Sequence, residues 1–105
     1  MEDYVDRPLY SCRNCQNPIA LRTDLLSKNF IGKSGPAYMF VHAMNIIVGQ
    51  KVDRKLMTGL YTVADIYCSN CGETLGWKYV RAYEVRDKFK EGKFIIERAK
   101  IAKEY

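Results

Sequence analysis

Every cysteine in this chain belongs to one of two Cys-x-x-Cys pairs, Cys12-Arg13-Asn14-Cys15 and Cys68-Ser69-Asn70-Cys71, and thiolates at that spacing bind metal. Each pair offers two sulfurs to one ion and leaves two tetrahedral positions for the other pair to fill. The expectation is one structural zinc held by Cys12, Cys15, Cys68 and Cys71. Four protein ligands leave no open position for water, so such an ion supports the fold and does not perform catalysis. Disulfides would need an oxidising compartment, and the segment Met-Glu-Asp-Tyr-Val-Asp at the start is acidic, with no apolar stretch to direct export. A redox-active pair would leave the duplication unexplained.

Between Cys15 and Cys68 lie 52 residues, far more than the roughly 12 to 20 that separate pairs in small zinc modules, so the metal must tie together distant hairpins. A chain of 105 residues fits one domain, read here as residues 9–105 behind a flexible acidic tail at 1–8. Leu9 to Ser11 should be a strand entering the first pair, and Ile19 to Leu21 should leave it. Gly72 directly follows the second pair, where a positive φ lets backbone N–H groups turn toward the thiolates; Gln16-Asn17 stands at the matching point of the first. Asp24 to Gly35 is a connection with apolar anchors. Ala37 to Val48, apolar on both faces of an extended pattern, predicts one interior strand carrying His42 as a core or edge residue. Gln50 to Lys55 reads as a charged loop and Leu60 to Tyr67 as the strand delivering Cys68. Leu75 to Tyr83 should leave the second pair as a strand with Trp77, Tyr79 and Tyr83 on one face, as core aromatics in the first instance. Glu84 to Gly92 is a turn or a single helical turn anchored by Phe89, and Lys93 to Tyr105 fits helix and strand patterns equally.

The formal charge of +5 counts the thiols as neutral; four thiolates and one Zn²⁺ contribute −4 + 2 = −2, leaving about +3. Over residues 72–105 nine basic residues alternate with six acidic ones, the pattern of a solvated surface more than of a phosphate track. The longest apolar run, Ala37 to Val48, is too short to span a bilayer. With every thiol committed to metal and no Ser/His/Asp spacing or paired-carboxylate pattern, the sequence does not read as an enzyme.

The residues that repeat a known arrangement are Tyr10-Ser-Cys-x-x-Cys15, Ser27-Lys-x-Phe30, Gly35-x-Ala-Tyr38 with Phe40, Asp53-Arg54, Thr58-Gly59-Leu60, Val63-Ala-Asp-Ile-Tyr-Cys68, Leu75-Gly-Trp-Lys-Tyr79 and Lys90-Glu-Gly-Lys-Phe-Ile-Ile-Glu-Arg98. From about Tyr10 to Ile101 the chain resembles the Yippee-like family. The resemblance implies a mainly β fold, two antiparallel sheets meeting at a steep angle (a β-tent) and pinned by the four-cysteine zinc site, with the Lys93 to Tyr105 segment as strand. It implies a protein-interaction module, regulatory or adaptor in character, acting in the nucleus or cytoplasm and linked to ubiquitin ligase assemblies through protein partners. The related thalidomide-binding domain of cereblon holds ligands in an aromatic cage. By motif, Trp77 matches one cage position and Tyr61 falls near a second, so Trp77, Tyr61 and Tyr79 are the candidate ligand-binding residues. The sequence departs from the family at Tyr61, where histidine is common, and at Val41-His42, where asparagine commonly follows the phenylalanine. A second relative that senses RNA suggests a nucleic-acid alternative through Lys51, Arg54, Lys55, Lys78 and Arg81.

Overall fold

The computed structural model describes residues 8–104; the acidic segment expected as a tail falls almost wholly outside them, at 1–7. Nine strands form two antiparallel sheets, as expected. The smaller sheet has the order β2 (Pro18–Leu21), β1 (Leu9–Cys12), β9 (Ile101–Glu104). The larger has the order β3 (Leu25–Gly32), β4 (Gly35–Phe40), β8 (Phe94–Glu97), β7 (Thr74–Ala82), β6 (Gly59–Cys68), β5 (Ile46–Leu56). The carboxy-terminal segment supplies one strand to each sheet, and the 3-10 turn Arg98–Lys100 carries it across.

The strands of the larger sheet feed two cores by simple alternation. Tyr38, Phe40, Phe94, Ile96 and Ile66 meet Tyr10, Ile19 and Ile101 of the smaller sheet. Ala37, Met39, Ile95, Tyr61, Val63 and Tyr79 project to the other face and form a second core with Phe30, Leu56 and Trp77. β8, central to both, is buried at all four residues, a burial worth about 1.5 to 3 kcal/mol for each large apolar side chain. Its neighbour β7 approaches so closely that a Cβ on Gly76 would lie 1.9 Å from the Ile95 carbonyl oxygen, which only glycine permits.

Several expectations need correction. Ala37 to Val48 is not one strand: β4 ends at Phe40, residues 41–45 cross toward the smaller sheet, and β5 begins at Ile46. The crossing is fixed by Val41 N–H donating to the Asp24 carbonyl and Met44 N–H to the Ile19 carbonyl, and Asn45 turns the chain with φ 56°. His42 is therefore exposed on this connection and belongs to neither core. Gln50 to Lys55 is strand, the polar middle of an edge that charged side chains keep from pairing elsewhere. A register shift in β7 between Tyr79 and Arg81 turns Tyr83 away from Trp77 and Tyr79, so that its hydroxyl pairs with Thr62 Oγ1 at 2.7 Å. Within the 3-10 turn Val85–Lys90, Phe89 is exposed and Lys90 is the buried anchor.

Candidate functional site

β1 and β6 each end in a cysteine pair, and the two turns share one construction. Cys12 N–H donates to the Asn17 carbonyl and Gln16 N–H returns to the Cys12 carbonyl; Cys68 N–H donates to Glu73 and Gly72 N–H returns to Cys68, all at 2.7–2.9 Å. The residue after each pair has positive φ, 67° at Gln16 and 81° at Gly72, as the sequence led us to expect of the glycine. A side chain thus accepts at Gln16 the conformation that glycine takes freely at Gly72.

The turns bring the four sulfurs within 4.8 Å of one another. Across the pairs, Cys12 Sγ lies 3.6 Å from Cys71 Sγ and Cys15 Sγ lies 3.5 Å from Cys68 Sγ. A tetrahedral zinc with bonds of about 2.3 Å needs sulfurs about 3.8 Å apart, so the geometry fits the ion and all four cysteines are positioned to hold it. All four are free of disulfides. Burial pushes the Cys12 thiol up to about 12, with the neighbouring sulfurs adding to it. Burial also opposes ionisation of Cys68, but the Cys71 and Asn70 N–H groups and the Asn17 amide outweigh it and bring that thiol down to about 6. A bound divalent cation would remove this asymmetry by holding all four as thiolates.

Two asparagines that the cysteine pattern does not reveal lock the turns together. Asn17 Nδ2 donates to Cys68 Sγ at 3.4 Å, across the two pairs. Asn45 reaches both sides: its Nδ2 donates to the Pro18 carbonyl at 2.7 Å and its carbonyl accepts Ser69 N–H at 2.9 Å. An asparagine interrupting an apolar run, with its known tolerance of left-handed φ, was the available signal. The carboxy-terminal crossing braces both turns, since Arg13 donates to the carbonyls of Lys100 and Ile101 while Lys100 Nζ pairs with Glu73 at 2.8 Å.

The aromatic candidates lie on the face of the larger sheet away from the smaller one. The sheet curls enough for its two outermost strands to flank the same cavities: Ile31 of β3 and Leu56 of β5 line the same two chambers, each about 310 Å³, with Trp77 lining both. Trp77 and Tyr79 pack edge to face, centroids 6.1 Å apart, and Tyr79 lines the second chamber. Tyr61 sits behind that wall, fully buried, and reaches it only through its hydroxyl partners Thr58 and Lys90. The five basic candidates divide by pairing register. Lys51 and Lys78 both pair with Ala64, Lys55 with Leu60 and Arg81 with Thr62, which places these four on one face of β5, β6 and β7. Arg54 pairs with Tyr61, projects to the opposite face and lies 3.8 Å from Asp65 in the first chamber.

A family model described as "Yippee zinc-binding/DNA-binding /Mis18, centromere assembly" matches residues 9–104. Two yippee-like proteins of Arabidopsis thaliana are similar throughout. One is 60% identical over 98 residues, 93% of each chain; the other is 62% identical over 104 residues, 99% of this chain and 98% of its own. Protein yippee-like 3 of Danio rerio is 50% identical over 95 residues, 90% of this chain and 80% of its own. The crystal structure of the Mis18 "Yippee-like" domain matches with a TM-score of 0.74, covering 95% of this chain and 97% of that one at 12% identity, a likeness of fold.

Proposed function

The chain belongs to the Yippee-like family of zinc-binding domains, and we propose that it works as a protein-interaction module whose shape one structural zinc maintains. The observation that carries this reading is the separation of metal from exposed apolar surface. β6 runs from Gly59 to Cys68, so the turn before it stands about 30 Å from the metal at roughly 3.3 Å per residue. At that far end Met57 is fully exposed and Phe89 is 60% exposed, and both adjoin Lys90. Apolar side chains left open far from a metal whose four positions are filled by protein suit binding better than chemistry at the metal. The reading places the protein in the nucleus or cytoplasm, as an adaptor with ubiquitin ligase assemblies among its expected partners. Affinity purification of the tagged protein from its native extract, with and without nuclease, tests it: partners retained after nuclease treatment support it, and their loss refutes it.

A second reading, nucleic-acid binding, is favoured by the register that gathers Lys51, Lys55, Lys78 and Arg81 on one face. Asp53 lies among them, paired with Thr62, and Lys78 and Arg81 are drawn over the rings of Phe94 and Tyr83. Phosphate contacts by these four would give an affinity that falls steeply with salt, whereas a mainly apolar protein interface is far less sensitive.

A further inference from the structure

The second chamber ends on a group of donors that the protein does not fully use. Lys90 enters from the 3-10 turn with its side chain 7% exposed, and its Nζ lies within 5.0–5.9 Å of the ring centroids of Tyr61, Tyr79, Phe30 and Phe89. An ammonium has three N–H donors. One donates to Tyr61 OH at 2.9 Å and one to Thr58 Oγ1 at 3.3 Å; the nearest carboxylate oxygen, Asp87 Oδ1, is 3.7 Å away, beyond hydrogen-bond range. The two hydroxyls bond each other at 2.6 Å, which uses only one of their two hydrogens. One N–H and one O–H thus remain for an outside acceptor. The indole N–H of Trp77, on the wall of the same chamber, is buried beside the Tyr79 phenol without an acceptor in hydrogen-bond geometry.

The charges point the same way. Asp87 is shared between Lys90 and Arg86 Nε, which lies 3.9 Å from it, so the three groups sum to +1. Asp87 does not line the chamber, whereas Lys90 and Thr58 do. Around them the walls are apolar: Phe30, Ile31, Leu56 and Trp77. A site with spare donors, a net positive charge and aromatic sides is complementary to a group that only accepts hydrogen bonds, carries one negative charge and sits on an apolar body.

We propose that the chamber between Trp77 and Lys90 binds a carboxylate carried on an apolar body, with the carboxylate at Lys90 and Thr58 and the body against Trp77. A small aromatic acid and a peptide ending in an apolar residue both present this chemistry. Trp77 is the only tryptophan in the chain, so its fluorescence reports occupancy directly. The zinc-loaded full chain would be titrated with 4-phenylbutyrate and with 4-phenylbutyramide, and in parallel with the tripeptide Gly-Gly-Phe bearing a free or an amidated carboxyl end.

The expected result is a saturable change in Trp77 emission with the acids that weakens about tenfold or more with the amides and in Lys90→Met. Lys88→Ala, which alters a nearby exposed charge, should bind as the parent does. Zinc content and far-ultraviolet circular dichroism establish that each variant is folded. If Lys90→Met does not fold, Thr58→Val, which leaves the ammonium in place and removes one donor, should weaken acid binding several-fold. A response to phenylbutyrate and not to the tripeptide identifies small acids as the source, and a response to both admits a chain terminus. Equal affinity for acid and amide, unchanged binding in a folded Lys90→Met or Thr58→Val, or no response to any of the four probes overturns the proposal.

Discussion

At the scale of single residues, the four thiols are presented by turns that other side chains hold in place. Asn45 acts through φ 56° and two hydrogen bonds that exist only once Pro18 and Ser69 have been brought beside it. Asn45→Val should therefore cost about 1 to 3 kcal/mol in chemical denaturation, because a β-branched residue resists that backbone conformation and lacks the amide. Cys68→Ser should go further, releasing the zinc and unfolding the domain, measured by metal content and circular dichroism. Type and spacing alone made the metal ligands legible, whereas Asn45 and Lys90 were hidden: in a run alternating basic and acidic residues Lys90 looks like any solvated lysine, and only the turn that buries it tells it from Lys88. Burial opposes its charge, but the Tyr61 hydroxyl and the neighbouring Tyr79 and Asp87 outweigh this and hold the ammonium above its ordinary value. A raised lysine adds stability that is complete below the unfolded value near 10.5 and disappears as pH climbs through the folded one. The stability gap between the parent and Lys90→Met, read from urea midpoints, should be level up to about pH 10 and close above it.

At the scale of elements, the strands that deliver or leave the cysteine pairs were readable because their apolar residues face a core: β6 and β7 supply both cores, and β1 and β2 the first. β5 and the break at residues 41–45 were not. A polar edge strand lacks the apolar alternation that marks a buried one, and an apolar run carries no sign of where its pairing partner stops. β4 loses its partner at Phe40 because β3 begins opposite it, at Leu25. The Leu75-Gly76-Trp77 step was visible as a motif, and its cause is contact: the Ile95 carbonyl occupies the place of a side chain. Gly76→Ala must push β7 from β8 or distort both, so a loss of about 1 to 3 kcal/mol is expected in thermal or chemical denaturation, with zinc stoichiometry retained in whatever remains folded.

At the scale of the whole molecule, the 52 residues between the cysteine pairs carry four of the six strands of the larger sheet and β2 of the smaller one, so the metal closes a loop that holds five of the nine strands of the described residues. Removing zinc with a strong chelator should therefore abolish β-sheet circular dichroism and shift Trp77 emission together, in one transition, although Trp77 belongs to the core on the far face of the sheet. Two resolved steps would show that the second core stands without the metal. The smaller sheet has a further consequence in time. β1 lies between β2, its neighbour in sequence, and β9, ninety residues later, and the backbone contact of Arg13 with Lys100 joins the first cysteine turn to that last segment. β1 can pair with β2 as soon as both are present, but its other edge stays open until β9, which begins at Ile101, has folded back onto it. The first cysteine pair therefore depends on the far part of the chain twice over: on Cys68 and Cys71 to complete the metal set, and on Lys100 to brace its turn.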